Sequence, residues 1–318
     1  MKYIKPYLKL PDQVSLLKKR GLIVTDAIKA ERCLERIGYY RLSAYWYPFR
    51  KSQNNNGTNV VSDDFKANTS FEVIMDLYVF DKKLRMLMLD ALERIEVSIR
   101  TSIALEIGQY HPLAYRSPKY LHGNFAKKFM KKKPQTKHQE WLSIVDKKFS
   151  NSKEDFVKHF KKNYPNDHLP IWISVELWDF GAMSYLYGGL QIADKNQIAQ
   201  KYNIPSGDLL ESWVRSLGDI RNICAHHSRL WNRPLVNQPK YPQVLQINEL
   251  DHLVSDQLAK SRIYGAIVII LYLLRTVHPS TTWKQRLIEH LKTFPTHPEI
   301  NLKRAGFPQD WEKQKIWE

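Results

Sequence analysis

The longest unbroken periodicity in the chain runs from residue 71 to 107. Ile74, Leu77, Leu84, Met88, Ala91, Ile95, Ser98 and Ser102 recur at steps of three, four and seven, which is one face of an α-helix. Neither proline nor glycine interrupts it before Gly108. A second stripe follows at Leu210, Trp213, Val214, Leu217, Ile220 and Cys224, with Asp208 as its expected N-cap. Shorter helical patterns run from Asp12, as cap, to Arg20, stopped by Gly21, and from Thr25 to Ile37, with Ala27, Ala30, Leu34 and Ile37 on one side. Residues 51–70 are polar and carry an Asn run and a glycine, so they predict a surface loop or short hairpin. Pro170 opens a helix that Asp179-Phe180-Gly181 interrupts or bends, and Pro234, Pro239 and Pro242 force a non-helical connection. Helix resumes near Leu250 and runs to about Thr276. Its apolar run, Ile263 to Leu274, is bounded by Arg262 and Arg275, too short to span a bilayer and expected to be buried. A last helix covers Trp283 to Leu291. The pattern predicts an all-α chain with an N-terminal helical region (1–60), a helical domain (71–278) and a C-terminal tail (279–318).

Composition sharpens this. At 43% hydrophobic and 12% aromatic residues in 318, the chain can bury a core. Its net charge of +17 points to a polyanionic partner: RNA, DNA or an acidic surface. Residues 116–162 hold 14 Lys or Arg against 4 Asp or Glu, a net +10. Lys127, Lys128, Lys131, Lys132 and Lys133 are its densest part, read either as a solvated basic insertion or as a contact to an RNA backbone. Trp141, Phe149, Phe156, Phe160 and Tyr164 within it predict amphipathic helices. The two cysteines, Cys33 and Cys224, form no Cys-x-x-Cys pair, which argues against a zinc ribbon or redox motif; no metal or cofactor is expected. Few cysteines fit a reducing cytosol, and the first residues lack the apolar core of a signal peptide, so a cytoplasmic protein without a membrane partner is expected.

Chemistry concentrates in residues 208–233. At about 100° per residue, Arg215, Asp219, Asn222, His226 and Arg229 fall opposite the apolar stripe. Arg221 sits on its edge, and His227 follows His226. An arginine to hold a phosphate, an imidazole to move a proton and an amide to orient it form the group set for phosphodiester chemistry. A structural helix with a polar face is the competing reading. Elsewhere, Gly38–Arg50 interleaves Tyr39, Tyr40, Tyr45, Trp46, Tyr47 and Phe49 with Arg41 and Arg50. Packing between helices is the preferred reading there, a base-stacking RNA platform the alternative. On a shoulder of the long helix's stripe lie Asp81, Arg85, Glu96 and Arg100, as two i,i+4 acid-to-arginine pairs. Asp81–Arg85 is expected to be an ordinary surface pair.

Arg221-Asn222, then three residues, then His226 resembles the R-x4-H motif of HEPN-type ribonucleases. The longer string RNICAHHSRLWNR looks like the signature of the Abi family, AbiD/AbiF-like abortive-infection proteins. YYRLS at Tyr39–Ser43 is similar to that family's N-terminal motif, and LYVFDKKLR with ALERIEVSIR to its first HEPN helix. Pro170, Trp172, Glu176, Trp178, Phe180, Gly181 and Ser184 match its central pattern, with both tryptophans expected in the core. The resemblance implies a HEPN-like helical bundle with an N-terminal extension, and metal-independent RNA cleavage in phage defence.

On that reading the 2′-hydroxyl attacks its neighbouring phosphorus, leaving a 2′,3′-cyclic phosphate and a 5′-hydroxyl. His226 acts as base or acid, since an imidazole's ordinary pKa is about 6.5. Arg221 clamps the phosphate and Asn222 orients His226 or the substrate. His227 and Arg229 are weaker candidates for support. Glu96 or Arg100 would stand behind His226, and Glu176 would be a buried partner for an arginine of the motif helix. Arg221 and His226 lie about 140° apart on a straight helix. The helix must then distort, the arginine must reach around, or two copies must share one cleft, so a homodimer is expected. RNA is the expected partner, as substrate and as a candidate restraint on toxicity. A non-catalytic RNA-binding module is the alternative function.

Overall fold

The computed structural model describes residues 6–55 and 58–318. Residues 56–57, within the expected turn, lie outside them. Ser70 caps α4 (Phe71–Gly108) by accepting from the Val73 amide at 3.2 Å, and 38 residues then run without a break, about 57 Å of helix. The other elements assemble on this helix.

Before it come α1 (Leu10–Lys19), α2 (Ala27–Ile37) and α3 (Tyr39–Trp46). Asp12 sits in the first turn of α1 rather than at its cap, which is Lys9. Asp26 caps α2 through the Lys29 amide. Strands β1 (Arg50–Asn55) and β2 (Thr58–Phe65) form the expected hairpin, the one sheet among the described residues. The α3 region divides its aromatics: Tyr45, Trp46 and Phe49 are buried, whereas Tyr40 is 90% exposed.

The basic stretch folds into α5 (Gly123–Ala126), α6 (Lys137–Asn151) and α7 (Asp155–Asn163). Thr136 and Gln139 form a reciprocal capping box on α6, and Trp141 and Val145 bury its apolar face. Next come α8 (Ile171–Ser174) and α9 (Phe180–Gly189). The break between them is made by Asp179, which caps α9 through the Ala182 amide. Trp178 is in the core as expected, but Trp172 is 52% exposed: residues 171–174 form a single turn, and only Ile171 and Ser174 face inward.

α10 (Ile192–Gln200) leads to α11 (Gly207–Ala225), the helix of the Arg-His motif. Ser206, not Asp208, is its N-cap. Asp208 instead pairs with the buried Lys195 at 2.7 Å, beside Glu211 at 3.0 Å. Gly207 permits that approach, because a Cβ there would lie 2.4 Å from the Lys195 Cβ. After an irregular connection, the single helix expected from Leu250 to Thr276 is three pieces. These are a 3-10 turn (Asn248–Leu253), α12 (Gln257–Ser261) and α13 (Ile263–Val277), then α14 (Trp283–Leu291). Arg262 takes extended backbone between α12 and α13 and donates to the Asn232 carbonyl at 2.6 Å. α4 packs against α3, α8, α10, α11, α13 and α14, and its apolar face lies in one core that reaches from Val14 to Trp317. Among the described residues no helix is long and apolar enough to cross a membrane.

Candidate functional site

The motif helix ends inside the motif. Ala225 is the last helical residue, and His226 is the C-cap with its amide still on the Asn222 carbonyl at 2.9 Å. His227 takes a left-handed φ of +56°. Its amide bonds to the Cys224 carbonyl at 3.0 Å, and the Ser228 amide to the Ile223 carbonyl at 3.0 Å. This is a Schellman termination with histidine at the position glycine usually holds.

Just past this turn the chain is held by a carboxylate whose spacing marked it as a surface one. Asp81 is fully buried and accepts from the Tyr45 hydroxyl at 2.7 Å, from the Trp231 amide at 2.8 Å and from the Leu230 amide at 3.1 Å. Arg85, 4% exposed, completes the set as a direct ion pair and also donates to the Tyr45 oxygen at 3.0 Å. Asp81–Arg85 is therefore not the surface pair expected from its spacing: α3 and the loop after the motif close over it. Burial pushes the Asp81 carboxyl up, against the pull of Arg85, Tyr45 and the two amides. The same burial, with Asp81 nearby, pushes the Cys224 thiol up to about 12, so it remains a core thiol rather than a nucleophile.

Two arginines tie the motif loop to α3 above this hub. Arg41 donates to the His227 carbonyl at 2.7 Å, and Arg229 to the Ala44 carbonyl at 2.5 Å. Arg229 is thus not on the polar face of the helix, as its spacing predicted, because the helix stops four residues earlier. Burial lowers its guanidinium, which Tyr45 and Asp81 support and Arg233 and Arg262 oppose. Between α3 and the loop lies a cavity of about 370 Å³ lined by Tyr40, Arg41, Ala44, Tyr45, His226, His227, Ser228, Arg229 and Arg233. Three arginines and two imidazoles face it, with no carboxylate among the lining residues.

Arg221 stands apart from that lining. It approaches Glu96 of α4 at 4.0 Å and donates to its neighbour Asn222 at 3.4 Å. Glu96 is 7% exposed and pairs directly with Arg100. Burial raises Glu96, while Arg100 and Arg221 draw it down. Burial also raises Asp179, but Lys148, the Ala182 amide and Arg221 outweigh it and hold that carboxyl below the usual range. So Glu96 and Arg100 stand beside Arg221 rather than behind His226. Glu176 is exposed rather than buried, and the part expected of it, partner to an arginine of the motif helix, falls to Glu96. Asn222 lines a different cleft, between α9 and α11.

Lys127, Lys128, Lys131, Lys132 and Lys133 are exposed on the segment between α5 and α6, with Lys133 paired to Glu140. That segment reaches the motif helix through α6 on α9 and α9 on α11. Among the described residues no three His, Cys, Asp or Glu side chains gather to hold a metal ion. Asp81 carried one signal in the sequence: an acid-arginine pair on the apolar side of a long helix. Nothing local marked the side chains that cover it.

Neither curated proteins nor solved structures gave a match to the chain. Residues 32–232 match the family model described as Abi-like protein. The matched span takes in α3, the Asp81 hub, the whole of α11 and the loop through Trp231. The chain therefore belongs to the Abi-like protein family.

Proposed function

We propose that this protein is a metal-independent endoribonuclease of the HEPN type, acting in the cytoplasm in abortive infection against phage. Membership of the Abi-like family supports the defence role. The observation that carries the chemistry is the cavity at the end of α11, where adjacent imidazoles meet three guanidiniums and no carboxylate. A phosphodiester is the group such a lining attracts. One imidazole, His226, takes the proton from the 2′-hydroxyl as its oxygen bonds to phosphorus. The other, His227, gives a proton to the 5′-oxygen as the phosphorus–oxygen bond breaks. Arg41, Arg229 and Arg233 neutralise the charge gathering on the phosphoryl oxygens.

Arg221 has a side chain 37% exposed and only long contacts, to Glu96 at 4.0 Å and Asn222 at 3.4 Å, so it is available to the same backbone upstream. A homodimer pairing two motif helices would bring a second Arg221 toward each His226. The lysines between α5 and α6 extend the RNA path.

The test is induction of wild type, Arg221→Ala and His226→Ala in a bacterial host. Wild type is expected to arrest growth and break cellular RNA, leaving cyclic phosphate ends. Both variants are expected to do neither while still binding RNA. Activity lost in a chelator and restored by Mg²⁺ would overturn the metal-free mechanism. RNA binding by all three with no cleavage would favour a non-catalytic RNA-binding module.

A further inference from the structure

A second cleft lies along the same helix, between α9 and α11 with α5 at one end. Its volume is about 300 Å³, at the small end of the range of ~300–1,000 Å³ for ligand pockets. Glu211, Arg215, Asp219 and Asn222 project from α11 at steps of three and four and form one polar wall. Tyr185 of α9, 38% exposed, supplies the aromatic surface opposite, while Phe180 lines the cleft from the core. Two glycines keep the helices this close. A Cβ on Gly218 would stand 3.0 Å from the Phe180 ring, and one on Gly188 2.9 Å from the Glu211 carboxylate. Lys137, where the lysine-rich segment enters α6, stands at the rim.

An aromatic face, cations at the edge and an amide and carboxylates on the wall match one ligand class, a nucleotide. Its ring stacks and its phosphate takes the cations. The carboxylates select further. Guanine is the base that offers two adjacent donors, N1–H and the N2 amino group, beside an acceptor at O6. Glu211 is engaged by Lys195 at 3.0 Å. Asp219, tied through one oxygen to the Asn237 amide at 2.6 Å, is left as the acceptor for that edge. An Asn222 amide can donate to O6. Asn222 and His226 are four residues apart, about 6 Å along the axis, so a base in this cleft and a phosphate at His226 belong to neighbouring positions of one strand.

We propose that the α9–α11 cleft is a guanine subsite that sets where the RNA is cut. This rests on the ribonuclease reading above. Full-length His226→Ala protein, inactive on that reading, is titrated by calorimetry with GMP, AMP, CMP and UMP. GMP is expected to bind about tenfold or more tighter than the others. Asp219→Asn in the same background is expected to erase that preference, and Ser184→Leu, which fills the cleft, to weaken all four, with thermal melts showing both variants folded. Sequencing of the ends made by wild type is expected to place guanine at one fixed position. Equal affinity for the four nucleotides, or GMP affinity unmoved by both cleft variants, would overturn the proposal. GMP that a guanine-containing oligoribonucleotide fails to displace would overturn it in favour of a free nucleotide. GMP binding through Asp219 by a protein whose wild type cuts no RNA would sink the ribonuclease reading and leave the guanine site standing.

Discussion

Helix α4 carries an acid followed four residues later by arginine three times, and two of the copies, Asp81–Arg85 and Glu96–Arg100, are both buried at the acid but meet different neighbours. Asp81–Arg85 is sealed under α3 and the loop that follows the motif. Glu96–Arg100, about four turns further along, is open only toward Arg221, whose guanidinium comes within 4.0 Å of Glu96. The sealed copy spends its oxygens on a hydroxyl and on backbone amides, so it fixes where the chain goes. The open copy faces another side chain, so it adjusts the charge next to a candidate phosphate-binding residue. Sequence spacing is identical; what packs above each pair decides its work.

The contrast breaks most sharply at Asp81. Asp81→Ala strands Arg85 without its counter-charge and two amides without an acceptor, and is expected to cost about 3–5 kcal/mol of folding stability. Denaturant unfolding measures it, and a loss under about 1 kcal/mol would mean the hub is not closed. At the open pair, Glu96→Gln keeps the shape and removes the charge, with an expected cost of about 1–2 kcal/mol. A cost equal to that of Asp81→Ala would abolish the distinction.

Proton linkage adds a third comparison. His290 stacks on Phe80, next to Asp81, and its Nε2 lies 2.9 Å from the Phe80 carbonyl. Burial, reinforced by Lys83, lowers its pKa below the usual 6.5 despite the carbonyl bond. The folded state then holds fewer protons than the unfolded one just below that pH, so stability is highest above about 6.5 and falls as pH drops toward the folded value. The slope is at most about 1.4 kcal/mol per pH unit for this one group, and the buried His138 adds to it in the same direction. Melts of wild type and His290→Gln between pH 7.5 and 5.5 test this; parallel curves would exclude His290 as a source. The smallest effect is expected at the exposed motif. His226→Ala should leave stability within about 0.5 kcal/mol of wild type, so any loss of RNA cleavage there is a loss of chemistry rather than of fold.

Some of this architecture was legible in the chain and some was not. The limits of α4 and α14 could be read because a glycine, a capping serine or an apolar period marks them locally. The end of α11 could not. Termination there uses His227 where a reader looks for glycine or asparagine, and the chain just beyond it is held by Asp81, about 150 residues earlier in the chain. The same blindness put Arg229 on a helix that had already stopped and cast Glu176 in the part of Glu96. The cavity of histidines and arginines has walls from α3 and the motif loop, and periodicity carries no information about which distant segments share a wall. The motif itself was visible as residue types in close sequence. That Arg221 and His226 point apart could be read from helix geometry; that α3 and the motif loop wall the His226 side could not.

The two bonds from Arg41 and Arg229 run in opposite directions across one seam, and each ends on a main-chain oxygen. Carbonyls are common to every residue type, so this double fastening makes no demand on the side chains at 44 and 227. The two guanidiniums keep the N-terminal segment buttoned to the far end of the motif helix, and the His227 imidazole carries none of that fastening and is left to the cavity.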